Sequence, residues 1–158
     1  MPAIAIGMEP AEKDLLSQPP RDPREGILTK DFMVKVLFQG LLIAVCSMTA
    51  FHIGLRSAGA ACASTMAFAT LTAARLFHGF NCRSRHSIFK IGFSRNWYSL
   101  GAFAAGILLL ALVLFLTPLH SMFEVVPLTG SHLGIVLILA AIPTVFIQAG
   151  KMISDAAK

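Results

Sequence analysis

Charge is scarce in this chain, and acid is scarcer. Only 13% of its 158 residues are charged while 56% are hydrophobic, a balance that excludes an ordinary soluble domain. Its long apolar runs contain no Asp or Glu at all. Hard cations need oxygen ligands, so these runs, with only hydroxyls, terminal Asn and Gln and backbone carbonyls to offer, make a poor cation path by themselves. A Gly-rich phosphate loop, paired helical carboxylates and a nucleophile with a spaced base are all missing, which leaves no enzymatic constellation. The three cysteines, Cys46, Cys62 and Cys82, have neither metal nor redox spacing. Cys46 and Cys62 fall in apolar runs and read as packing residues. Residues 1–7 are apolar but too short, and lack the basic leader, for a signal peptide. The net charge of +5 needs no nucleic-acid partner, because the basic residues sit between the apolar runs.

What is present is the pattern of an all-α membrane protein: four transmembrane helices in a bundle, preceded by a proline-rich cytoplasmic segment. A spanning helix needs about 20 apolar residues. Runs of that kind predict helices at about 33–55, 58–80, 97–116 and 133–153, with residues 1–32 as a separate segment. Pro10, Pro19, Pro20 and Pro23 remove backbone donors and disfavour helix. The segment is therefore expected to run extended over a surface, either docked on another part of a protein or solvated as an arm. Asp31, or alternatively Thr29, can cap the first helix. Gln39 and His52 read as interfacial or packing residues. A very short connection around Arg56 and Ser57 predicts a tight antiparallel hairpin.

In the second helix Gly59, Ala63 and Ala67 recur every four residues, a spacing that lets helices approach closely in lipid. Trp97 and Tyr98 mark an interfacial start to the third helix. Its Gly/Ala-rich first half is expected to pack on neighbours and its leucine-rich second half to meet lipid. Thr117 and Pro118 end that helix. Ser131 can cap the fourth, which contains Pro143. His120, Glu124 and His132 share one loop without metal-ligand spacing. Counting basic residues sets the orientation. Lys13, Arg21, Arg24, Lys30, Lys35, Arg83, Arg85, Lys90, Arg95, Lys151 and Lys158 fall on one side and only Arg56 on the other. Both termini are expected in the cytoplasm.

The stretch 65–84, TMAFATLTAARLFHGFNCRS, holds the most informative residue. Arg75 lies inside the apolar part of the second helix, where a charge costs roughly 2.5–3.5 kcal/mol at the bilayer centre and by default points to function. On a helical wheel Ser64, Thr65, Thr72, Arg75 and His78 share one side, which should face protein or water. The alternative is that Arg75, about five residues from the helix end and so roughly 8 Å from it, snorkels to the headgroups.

The opening MPAIAIGMEPAEKDLLSQPPRDPREGIL resembles the segment of P-type (type II) calcium-transporting ATPases that follows their sixth membrane helix. In that family the helix ends Thr-Asp-Gly-Leu-Pro-Ala, which Met1-Pro2-Ala3 continues. Residues 65–84 resemble the eighth helix and the loop after it, and FKIGFSRNW the approach to the ninth. The resemblance runs over essentially the whole chain, from the end of helix six through helix ten, and is nearest to bacterial single-site pumps. It implies a carboxy-terminal part of a pump in a bacterial cell membrane, supporting the ion-carrying helices. It also implies that the loop with Asp14, Pro19, Pro20 and Arg21 docks on the phosphorylation domain. The implied partners are the remaining helices and cytoplasmic domains of the pump and the bilayer, with no nucleic acid. The DKTGT and TGES motifs and the nucleotide domain are not in this chain. It implies no cofactor here; calcium, magnesium and ATP belong to the complete pump. Two-site relatives carry a glutamate ligand at the position of Arg75. A fixed guanidinium there implies an internal counter-charge and one calcium per cycle. The competing reading is a free-standing four-helix membrane protein from a split or truncated reading frame, acting as an interaction module.

Overall fold

The computed structural model describes residues 29–81 and 97–156. The opening segment with Asp14, Pro19, Pro20 and Arg21, and the basic loop between the second and third helices, lie outside the described residues. Four of the helices are long and apolar enough to cross a membrane. They are α1 (Lys30–Ala58), α2 (Ala60–Asn81), α3 (Trp97–Phe115) and α5 (Gly130–Ala156), with a short α4 (Thr117–Phe123) between the last two. The acids of the described residues, Asp31, Glu124 and Asp155, all fall outside the apolar spans.

Helix α1 begins one turn earlier than its apolar run suggests, because Thr29 rather than Asp31 is its cap. The Thr29 side chain accepts from the Phe32 N–H at 3.3 Å, which satisfies one of the donors a helix start leaves open. The connection to α2 is a single residue. Gly59 has φ 86° and ψ −174°, a region open in practice only to glycine, and its carbonyl accepts from Ala63 N–H at 3.0 Å.

The hairpin made by this turn is tightly closed. A Cβ added at Gly54 would lie 2.7 Å from the Cα of Ala63 and 3.1 Å from the sulfur of Met66. Backbones come this near only where a residue has no side chain, and in lipid such packing replaces the hydrophobic effect between helices. The small-residue repeat is therefore real but shifted from the expected positions. Ala63 is fully buried, whereas Gly59 forms the exposed turn and Ala67 is only half-buried. Ala69, Ala73 and Ala74 complete the packed side.

Helix α2 is the most enclosed of the four and packs on α1, α3 and α5. One core cluster joins Ala50, Cys62, Met66, Ala69, Leu114 and Val136, and a second joins Ile43, Ala73, Ala74 and Ala140. The split expected along α3 forms only in part: Gly106 of the first half packs on α2, and Leu108, Leu109 and Phe115 of the second half are exposed. Gly101, Ala104 and Ala105 in its first half are at least partly open and Leu114 in its second half is buried. Packing follows the stripe Ser99, Phe103, Gly106, Leu110 and Leu114, spaced by four, three, four and four residues, as one helix face requires. Gly106 admits Leu76 of α2, and the rings of Phe103 and Phe77 lie 5.8 Å apart.

Pro118 sits in the first turn of α4, where its missing donor is harmless, so Thr117 and Pro118 start a short helix as well as following α3. Glu124 closes α4 in the left-handed conformation, φ 52°. The start of α5 is capped by Thr129 rather than Ser131. Its Oγ1 accepts from His132 N–H at 3.4 Å and is 3.0 Å from the Ser131 hydroxyl. Pro143 is buried inside α5 and leaves the Leu139 carbonyl without an intrahelical donor.

Candidate functional site

The described part of α2 presents an open stripe made of Ser64, Phe68, Leu71 and Arg75, all exposed and spaced by four, three and four residues. That spacing puts them on one line along the helix. Thr72 and His78 flank the stripe and are half-buried. Thr65 does not belong to it. At 1% exposure it points into the bundle, because its position on the wheel falls beyond the edge of the open arc. Its hydroxyl donates to the Ala61 carbonyl at 2.9 Å and accepts from the Val126 N–H at 3.0 Å. The loop after α4 is thereby tied to the start of α2. Of the five polar residues expected together, Ser64 and Arg75 share the open face, Thr72 and His78 border it, and Thr65 holds the fold.

Arg75 thus combines a permanent charge with a helix face that α1, α3 and α5 leave uncovered. A stripe with a serine at one end, an arginine at the other and two large apolar residues between them is ill-suited to bare lipid, where a charged side chain is costly. At the same end of the bundle stands Lys151 of α5, half-buried. Gln148, one turn before Lys151, is buried.

The sequence matches the family described as "Cation transporting ATPase, C-terminus" over residues 1–153. The chain belongs to that family. It is 38% identical over 156 residues to a calcium-transporting ATPase of Bacillus subtilis, covering 98% of this chain and 17% of that protein. It is 30% identical over 170 residues to calcium-transporting ATPase 1 of Bacillus cereus, covering 96% of this chain and 19% of that protein. Human calcium-transporting ATPase type 2C member 2 is 32% identical over 126 residues, 78% of this chain and 13% of the human protein. The chain therefore spans less than a fifth of the length of these relatives. Its membership in a cation-transporting ATPase family fits four apolar helices.

The opposite end of the bundle holds a set of contacts that the sequence did not disclose. His132 Nε2 lies 3.1 Å from the Ser57 Oγ of α1, and His132 Nδ1 lies 3.6 Å from the Cys62 Sγ of α2. These contacts cross 75 and 70 residues of chain, beyond the reach of any local spacing rule. The loop trio considered from sequence is resolved into separate roles. His120 Nε2 is 3.1 Å from the Leu114 carbonyl, Glu124 ends α4, and His132 joins three helices. Among the described residues no group of three His, Cys, Asp or Glu side chains could hold a metal ion.

Proposed function

We propose that this chain serves as the carboxy-terminal membrane region of an ATP-driven calcium pump. Helices α1, α2, α3 and α5 support the ion-carrying helices of that pump, and Arg75 is a counter-charge beside its ion path. Both termini face the cytoplasm of a bacterial cell, where residues 1–32, with Asp14, Pro19, Pro20 and Arg21, dock on the phosphorylation domain. Calcium is the cargo, and no step of ATP chemistry is carried by these residues.

The observation that carries the proposal is the open position of Arg75 in a chain whose family is established. An uncovered guanidinium on the most enclosed helix is explained if further helices of the pump cover that face. It also disfavours a calcium ion at that position by repulsion and by occupying its space. The decisive experiment is Arg75→Glu in the complete pump, with calcium transported per ATP hydrolysed as the readout. The expected outcome is a rise in that ratio from one towards two, together with altered calcium affinity. Unchanged ratio and affinity would eliminate the counter-charge role while leaving the supporting role intact. The supporting role has its own test in the coding sequence upstream of Met1. An in-frame DKTGT motif followed by a membrane helix ending Thr-Asp-Gly supports the pump. A stop codon and ribosome-binding site there would favour a separate four-helix module.

A further inference from the structure

The contacts around His132 are met in full by one of its two neutral tautomers. With the single hydroxyl hydrogen of Ser57 given to the Gly54 carbonyl, 3.2 Å away, Ser57 Oγ meets His132 as an acceptor. In that arrangement the ring nitrogen facing it, Nε2 at 3.1 Å, carries the N–H. A neutral imidazole with its hydrogen on Nε2 has a bare lone pair on Nδ1, and that lone pair is aimed at the thiol of Cys62, 3.6 Å away. An imidazole whose far N–H is held by a hydrogen-bond acceptor is the arrangement that orients metal-binding histidines.

The separation also suits a metal. Zinc-type bonds of about 2.3 Å to sulfur and 2.0–2.1 Å to nitrogen, opened to a tetrahedral angle, put the two ligand atoms about 3.5 Å apart. We propose that Cys62 and His132 form a two-ligand site for a thiophilic divalent cation of the zinc and cadmium class, at the end of the bundle where α1 turns into α2. A thiolate selects for such ions over calcium or magnesium. No third Cys, His, Asp or Glu of the described residues joins them, so solvent completes the coordination. Binding replaces the thiol hydrogen by the metal, and one proton leaves to the medium for each ion bound. The site lies between α1, α2 and α5, so its occupation ties together the three helices that Ser57, Cys62 and His132 come from. It is independent of the pump reading, since it requires only these three side chains.

The test uses the full chain in lipid nanodiscs with Cys46→Ser and Cys82→Ser, so that Cys62 is the remaining thiol. Cadmium chloride is titrated while the thiolate-to-cadmium charge-transfer absorption and proton release are followed. One ion per chain with one proton released is the expected result. In this background Cys62→Ser abolishes the band. Ser57→Ala leaves both ligands in place but frees the ring, and is expected to weaken binding about tenfold; His132→Ala weakens it further. Circular dichroism of each variant reports whether it is folded, and Ser57, being exposed, is a mild substitution. Absence of a band in the folded parent, or equal affinity in folded His132→Ala, would overturn the site and leave a thiol–imidazole hydrogen bond only.

Discussion

Single residues decide how this hairpin closes and how its outer loop is held. Gly59 is the whole connection between α1 and α2, and its φ of 86° with ψ near 180° is a conformation that side chains resist by about 1–3 kcal/mol. A Cβ there would meet no atom within 4 Å, so the cost of Gly59→Ala comes from the backbone alone. Thermal unfolding of the full chain in mild detergent should report a loss of about that size, and an unchanged melting curve would contradict the strained turn. Thr65 makes a different kind of contribution, through the Val126 N–H that it accepts from across the bundle. Thr65→Val keeps the shape but leaves that donor unanswered, at about 1–3 kcal/mol. Thr65→Ser keeps the acceptor and should recover most of the loss in the same assay. A loss in Thr65→Ser with none in Thr65→Val would point to packing of the methyl group instead.

Helix pairs differ in how much a close approach can yield. At Gly54 the nearest atoms to an added methyl are backbone, the Cα and N of Ala63 at 2.7 and 3.0 Å. At Gly106 they belong to the end of the Leu76 side chain, which can rotate away. Gly54→Ala must push α1 from α2 along the seam that buries Ala63 and Met66, and overpacking of this kind costs about 1–3 kcal/mol. Gly106→Ala should cost clearly less. Comparing the two melting temperatures tests whether α1 and α2 form the rigid pair of the bundle; a larger loss at Gly106 would reverse that ranking. The existence of these helices was legible in the chain because 18 or more apolar residues admit few other structures. Which faces meet was less legible. In a membrane segment nearly every side is apolar, so the wheel contrast that marks a buried face in water is weak. Hence the small residues of α3 suggested packing by one half where a stripe along the whole helix packs, and Thr65 was grouped with Arg75. Arg75 itself could be singled out because charge is the one signal that stays strong against an apolar background.

For the whole molecule the governing feature is the difference between its two ends. One end gathers the Gly59 turn, α4 and the start of α5, joined through Ser57, Cys62 and His132. Among the described residues this end has a single Lys or Arg, Arg56, while Lys30, Lys35 and Lys151 lie towards the other. Basic residues near span ends favour the cytoplasmic side, so the Gly59 end should face away from the cytoplasm. The check is a cysteine-free background carrying either Arg56→Cys or Lys35→Cys, in intact bacterial cells treated with a membrane-impermeant maleimide. Residue 56 should react before the cells are opened and residue 35 only afterwards. The two positions are the ends of one continuous helix, so the labelling pattern has to be opposite if α1 crosses the membrane at all. Reaction of both in intact cells would remove α1 as a span, and with it the four-crossing arrangement. A reversed pattern would keep the four crossings but put Arg75 nearer the outer surface and overturn the cytoplasmic placement of both termini.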